Sequence, residues 1–189
     1  MPEDQQLIKE IMQGSQAAME VLTRKYYQQI YAFVYRKVGN KELAYDLTQE
    51  IFIKMMQKLS LYKNTGSFKS WLYTLAVNHC RDYWRSKKHK EKEKETILDD
   101  AIENDKSNVP YIFEKKETRA QVKHAILQLP EMQREAIILR YYHDSTMKEI
   151  AEMTDANIST VKSRLKQGLE KLAKYLDRGE PYEKKNQRY

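Results

Sequence analysis

The segment TMKEIAEMTDANISTVKSRLKQGLEKLAKYL, residues 146–176, constrains the fold more than any other part of the chain. It reads as two helices joined by a tight turn. Thr146 with Glu149 three residues on is a capping box, so the first helix starts there. Its apolar residues are Ile150, Ala151 and Met153. Asp155 stands where such a turn needs a left-handed residue, a conformation Asp visits more readily than most. Asn157 can cap the second helix. That helix repeats apolar residues at Ile158, Val161, Leu165, Leu169, Leu172 and Leu176, which is helical spacing along one stripe.

At about 100° per residue, the opposite face of the second helix carries Ser159, Thr160, Ser163, Gln167 and Lys174, flanked by Lys162, Arg164, Lys166 and Lys171. Short polar side chains outward with cations at the sides suit a helix in a DNA major groove. The cations meet phosphates, while Ser, Lys and Gln reach base edges. Periodicity alone would equally describe a solvated amphipathic helix. The short capped helix, the turn and the basic second helix together point to DNA binding.

The whole chain supports this. Its net charge is +7, with the surplus at both ends and a balanced middle, which suits a polyanion touched at two places. One cysteine, Cys80, permits no intrachain disulfide and gives no sign of an oxidising compartment. The start, MPEDQQLIKE, is acidic and polar and does not read as a secretory signal, and no apolar run approaches membrane-spanning length. We expect a soluble, cytoplasmic chain with no membrane insertion. Five Gly and four Pro among many Leu, Ile, Lys, Glu and Gln predict an all-α protein.

In chain order, a short helix is expected over Asp4–Gln13, closed by Gly14. A longer one covers Gln16–Val38, with Met19, Leu22, Tyr26, Ile30, Phe33 and Val34 inward. Asn40 caps a third, which runs to about Leu59 with Leu43, Leu47, Ile51, Met55 and Leu59 inward. On that helix Asp46, Gln49 and Glu50 share one polar face, which composition alone would leave to solvent. No histidine or third ligand joins the carboxylates nearby, so neither a metal site nor a cofactor is expected. A loop follows over Leu61–Ser67. The fourth helix, about Phe68–Ser86, is apolar on two nearly opposite sides. One carries Phe68, Trp71, Leu72, Leu75 and His79, and the other Tyr73, Val77, Cys80 and Trp84. Such a helix is either sandwiched in a core or shows one side to a partner. Aromatics beside Arg81 and Arg85 suit stacking on unpaired bases.

Residues 87–116 read as a charged linker, with a partly helical stretch over Lys88–Ile102. A C-terminal helix-turn-helix domain is expected over 117–178. Its first helix carries Val122, Ala125, Ile126 and Leu129. Pro130 then opens the next, which holds Met132, Ala136, Ile137, Leu139 and Tyr141. Residues 179–189 form a polar tail. The architecture is thus two small helical domains, 1–86 and 117–178, joined by a linker.

With these segments in view, the chain resembles the bacterial sigma-70 family, specifically the small extracytoplasmic-function sigma factors. YRKVGNKELAYDLTQEIFIKMMQKL looks like the segment that binds the clamp helices of RNA polymerase's largest subunit. SFKSWLYTLAVNHCRDYWR looks like the one that melts and reads the −10 element, and LPEMQREAIILRYYHDSTMKEIAEMTDANISTVKSRLKQGLEKL like the −35-binding domain. The resemblance implies a function without catalysis, directing core RNA polymerase to promoters and assisting their melting. It implies core-polymerase contacts at Asp46, Gln49, Glu50 and Phe52. It implies unpaired −10 DNA contacts at Tyr62, Lys63, Asn64, Phe68, Trp71, Asn78, Arg81 and Arg85. Duplex −35 contacts fall at Lys148, Ser159, Thr160, Lys162, Ser163, Arg164, Lys166 and Gln167. It also implies an inhibitory anti-sigma factor as a further partner. Asp155 and Gln167 depart from the family's commoner Gly and Arg, and Gln pairs best with adenine where Arg prefers guanine.

Two other classes share some of these features. A helix-turn-helix repressor or activator with a sensing or dimerising N-terminal bundle would form homodimers on palindromic sites. A nuclease using Asp46 and Glu50 would need further convergent acids or histidines, which are absent nearby in sequence.

Overall fold

The computed structural model describes residues 2–62, 67–91 and 111–177, with side chains described for 3–62, 67–86 and 119–176. Every regular element among them is helical: α1 (Pro2–Met12), α2 (Gln16–Val38), α3 (Lys41–Lys58), a 3-10 turn (Leu59–Leu61), α4 (Phe68–Glu91), α5 (Tyr111–Gln128), α6 (Glu131–Tyr142), α7 (Met147–Thr154) and α8 (Ile158–Asp177). The expected helix over Lys88–Ile102 lies beyond Glu91 outside the described residues, as does the tail.

The boundaries follow local chemistry. Ser15 caps α2 by accepting the Ala18 N–H, and Asn40 caps α3 by accepting the Leu43 N–H at 2.8 Å. Between them Gly39 adopts φ 82°, where a side chain would be strained, and a Cβ there would sit 2.9 Å from Leu127 Cδ1. One glycine therefore ends α2 and admits α5 against it. Both halves of the capping box at Thr146 and Glu149 form, and Asp155 takes the left-handed conformation at φ 50°, ψ 55°. Asn157 Oδ1 then accepts the Thr160 N–H at 2.7 Å. The helix-turn-helix is set by its own caps.

Helices α1–α4 form a bundle, and the inward stripes expected for α2 and α3 are buried apart from the half-buried Met19 and Leu43. α1 is pinned to the bundle through Asp4, which accepts from Tyr26 Oη at 2.7 Å and Lys25 Nζ at 2.8 Å. Two expected stripes are corrected. On α6, Met132 and Tyr141 are exposed, and Gln133, Glu135 and Ile138 are buried in addition to Ala136, Ile137 and Leu139. On α8, Ile158, Leu169 and Leu176 are exposed, and the buried line is Val161, Leu165 and Gly168, with Leu172 half-buried. Gly168 explains the shift. A Cβ there would meet Ile137 Cγ1 at 3.0 Å, so its missing side chain lets α6 close onto that line.

The C-terminal helices pack directly on the N-terminal ones, α7 on α4 and both α5 and α6 on α2. This covers the second apolar side of α4, where Tyr73, Val77 and Cys80 are fully buried. Of the two readings left open for α4, the sandwiched helix is the one observed. At the centre of the interface, Glu135 of α6 is fully buried. It accepts from Lys37 Nζ of α2 at 2.6 Å and from Arg81 Nη2 of α4 at 2.5 Å. Arg134 donates to the Lys37 carbonyl at 2.8 Å, and Arg81 donates to the Thr154 carbonyl at 3.2 Å. At the far end His143 is hydrogen-bonded to Tyr73 Oη at 2.7 Å and lies edge-on to Phe33. Burial, and then the nearby cations Arg36 and Lys69, pull the His143 imidazole down to about 4, so it stays neutral near pH 7.

The capping box gives a stability test. The backbone N–H of Thr146 holds the Glu149 carboxyl below its ordinary value of 4.5. A depressed carboxyl stabilises the fold fully above the unfolded value and loses that contribution as pH falls through the folded one. Thr146→Ala is expected to cost about 1 kcal/mol at neutral pH. In urea denaturation the wild-type advantage should shrink as pH drops below 4.5. A constant difference across that range would show that the box is not coupled to Glu149.

Candidate functional site

Three surfaces stand out, one on each of α8, α4 and α3. On α8 the turn and its caps project a polar, basic face. Lys148, Ser159, Lys162, Ser163, Lys166 and Gln167 are exposed, whereas Thr160 and Arg164 are half-buried. Ser159 is already engaged, donating to Asn157 Oδ1 at 2.6 Å. Gln167 is held on two sides. Gln133, buried on α6, donates to Gln167 Oε1 at 2.9 Å, and Gln167 Nε2 donates to Ser163 Oγ at 3.1 Å. An amide has two acceptor lone pairs and two N–H donors. One of each remains free on Gln167, the pair that bidentate contact with adenine N6 and N7 uses. Sequence periodicity missed Gln133, because a glutamine on the buried side of a helix carries no hydrophobic signal.

On α4, Trp71, Asn78 and Arg85 are spaced by seven residues, so each lies within about 20° of the last around the helix. Asn78 and Arg85 are exposed and Trp71 is half-buried. Trp71 belongs to an aromatic cluster with Tyr62 and Phe68, whose ring centroids are 5.3–5.7 Å apart. Phe68 is buried, stacking edge-on to Tyr26, so it anchors the surface from below. Tyr62 and Phe68 flank residues 63–66, and the candidate contacts Lys63 and Asn64 lie outside the described residues. Arg81 points away from this face into the interface, paired with Glu135.

On α3, Asp46, Gln49 and Glu50 are exposed on one face, and Phe52 is not with them: it is buried against Tyr27, with ring centroids 5.5 Å apart. Sequence reading missed the exposed apolar residues beside the acids. Tyr45, Ile53 and Met56 are 51%, 48% and 47% exposed, which puts three large apolar side chains beside the acids on one helix. Their spacing was a signal, since positions 45 and 56 fall on one line around a helix. Glu50 is also oriented from α4: His79 Nε2 lies 2.8 Å from Glu50 Oε2, and Lys54 Nζ lies 2.7 Å from His79 Nδ1. Lysine can only donate, so Nδ1 accepts and Nε2 carries the proton toward Glu50. Burial, reinforced by Lys54, lowers the His79 pKa, which keeps the ring neutral near pH 7.

Comparison with known proteins places the segments that carry these helices in one family. Residues 22–90 match Sigma-70 region 2, and residues 119–172 match Sigma-70, region 4. The chain is 30% identical to the ECF RNA polymerase sigma-E factor of Escherichia coli, over 86% of this chain and 88% of that protein. It is 29% identical to the ECF RNA polymerase sigma factor SigW of Bacillus subtilis, over 89% and 94%. Among solved structures, its fold is similar to the sigma factor RpoE of Bartonella quintana in complex with the anti-sigma factor NepR. That match has a TM-score of 0.71 at 22% identity and covers 84% of this chain and 96% of that one. It is also similar to CnrH in complex with the cytosolic domain of CnrY, with a TM-score of 0.69 at 20% identity over 94% and 99%. Two family regions in the expected order, and a relative 30% identical over most of both chains, show that the chain belongs to the extracytoplasmic-function sigma factors of the sigma-70 family.

Proposed function

We propose that this sigma factor directs transcription initiation through three separate surfaces: α3 binds core RNA polymerase, α8 reads duplex −35 DNA, and α4 captures unpaired bases of the −10 element. The acid-and-apolar strip on α3 carries the reading. A basic helix-turn-helix serves a repressor equally well, but Asp46 and Glu50 beside Tyr45, Ile53 and Met56 repel DNA and suit a protein partner. Phe52 and Phe68 support their surfaces from within the core. The protein supplies no chemistry of its own and needs no cofactor. Melting costs stacking energy, which stacking on Trp71 and Tyr62 and hydrogen bonds from Asn78 help offset. No helix among the described residues is long and apolar enough to cross a membrane. The reading places the protein in the cytoplasm with the polymerase. An inhibitory protein partner is part of the proposal, since a solved relative is a sigma factor bound to an anti-sigma factor.

Run-off transcription with core polymerase on a library of genomic promoters tests the whole, and three substitutions test its parts. Asp46→Lys with Glu50→Lys should weaken binding to core polymerase about tenfold or more while circular dichroism stays unchanged. Unaltered affinity would remove α3 from the account. Gln167→Ala should lose about 1–3 kcal/mol of discrimination at a single −35 base pair. Gln133→Leu should lose part of the same discrimination with little change in total affinity, because it frees the Gln167 amide to rotate. If Gln167→Ala weakens every −35 variant equally, Gln167 is no base reader; if only Gln133→Leu is silent, the clamp is unnecessary. Asn78→Ala should leave core and −35 duplex binding intact and depress opening of a closed promoter. Normal permanganate footprints and promoter selectivity in that variant would return Asn78 to a structural role.

A further inference from the structure

We propose that Asp4 of α1 is a positioning residue for strand capture: acting through Tyr26 and Phe68, it sets where the rings of Tyr62 and Trp71 lie. The inference rests on the reading of α4 as the surface that takes up unpaired bases, and it adds an element which that reading leaves out. α1 precedes residues 22–90, the segment matched to Sigma-70 region 2.

The first reason is a carboxylate buried where apolar contacts already hold the helix. α1 rests on the bundle through the half-buried Leu7, Ile8 and Ile11. Asp4 is nonetheless only 3% exposed, and a buried carboxylate is stable only when paired and hydrogen-bonded. Both its oxygens are engaged: Oδ1 accepts from Lys25 Nζ at 2.8 Å and Oδ2 from Tyr26 Oη at 2.7 Å. Lys25 also donates to Glu3 at 2.7 Å. Burial, and then the bond to Asp4, raise the Tyr26 hydroxyl above its ordinary value of 10, so it remains a donor at neutral pH. A ring held only by apolar neighbours shifts along them at small cost. A hydroxyl bound to an ionised, buried carboxylate fixes the far end of its ring, because such hydrogen bonds are short and strong.

The second reason is where that ring leads. Tyr26 is buried and meets Phe68 edge-on, with 5.4 Å between centroids and 63° between planes. Phe68 is the first residue of α4 and is buried as well. It meets Tyr62 at 5.7 Å and 83°, and Trp71 at 5.5 Å and 37°. Tyr62 and Trp71, both half-buried, lie 5.3 Å from each other. The rings thus run from the Asp4 carboxylate to the surface without a gap. Asp4 is also near enough to Tyr62 for its charge, after burial, to raise that hydroxyl. Aromatic contacts of this kind are directional, so displacing Tyr26 displaces Phe68 and with it both surface rings. A binding constellation tolerates errors of only about 0.5 Å and 10–20°, so a small shift of the platform is felt by a stacked base.

The test uses holoenzyme assembled from core polymerase and the full chain. Its probe is a short fluorescent single strand carrying the −10 sequence of a promoter recovered by run-off transcription. Asp4→Leu removes both acceptors and should weaken strand binding by about five- to thirtyfold, within the range of one base's stacking. Tyr26→Phe removes only the hydroxyl and should weaken it by about two- to fivefold. Asp4→Asn should bind within about twofold of wild type, because its amide still pairs with the Tyr26 hydroxyl while Lys25 keeps Glu3. Affinity for core polymerase and for −35 duplex should stay unchanged in all three. In the free chain, Trp84→Phe leaves Trp71 as the single tryptophan. In that background Asp4→Leu and Tyr26→Phe should increase acrylamide quenching of Trp71 emission. Tyr26→Phe decides the matter if Asp4→Leu loses helix content by circular dichroism. Unchanged strand affinity in the folded variants overturns the proposal, as does unchanged quenching of Trp71. A parallel loss of core affinity overturns it too, since Asp4 would then brace the bundle as a whole. A wild-type holoenzyme that ignores the strand strikes the −10 reading and the proposal with it, whereas a binding wild type matched by Asp4→Leu strikes the proposal alone.

Discussion

One buried carboxylate organises the packing of this chain. Glu135 is fully buried and meets Lys37 and Arg81, also drawn from water, from two different helices of the N-terminal bundle. Removing one partner of such a cluster typically costs about 3–5 kcal/mol, yet replacing the whole cluster by apolar residues is often neutral. The cluster therefore defines which arrangement forms more than how tightly it holds. Apolar surfaces slide past one another at small cost. A carboxylate that must meet an ammonium at 2.6 Å and a guanidinium at 2.5 Å admits one register. Tyr73 with His143 and Gly39 with Leu127 then fall into place at the flanks.

That constraint explains why α4 is apolar on both sides. Phe68 packs on Tyr26 of α2, while Tyr73 reaches both Phe33 of α2 and His143 of the C-terminal half, and α7 packs along the same helix. The two-sided pattern was plain in the sequence, but what covered the second side was not. Lys37 and Glu135 are 98 positions apart, and neither differs in sequence from a solvated charge. The caps at Asn40, Thr146 and Asn157 were readable because each is a contact between residues three positions apart. Local chemistry fixes where helices begin, and long-range chemistry fixes which sides they bury.

The same division runs through the functional surfaces. The outward face of α8 followed from helical spacing, because α7 and the turn hold the helix as a rigid unit. Its inward line did not follow, because Gly168 draws α6 onto a path that leucine counting missed. On α3 the acids were visible, but the apolar strip of Tyr45, Ile53 and Met56 emerges only once the inward stripe is known to lie elsewhere. Phe52 and Phe68 show the limit of motif transfer. A motif position gives residue type and place in the chain, and burial against Tyr27 or Tyr26 decides whether the ring is a contact or a support.

On the proposed assignment, the three surfaces differ in how they are prepared for their partners. α8 is set before binding, with Gln167 held by Gln133 and Ser163, so duplex reading needs little further ordering. α3 is set as well, since His79 and Lys54 hold Glu50 from behind. α4 alone is divided. Its Trp71, Asn78 and Arg85 line faces solvent, while Arg81, one turn round, is committed to Glu135. On the proposed assignment, the surface with the costliest work, holding bases removed from a duplex, is thus the one whose neighbouring cation is spent inside the fold, so its binding rests on Trp71, Asn78 and Arg85.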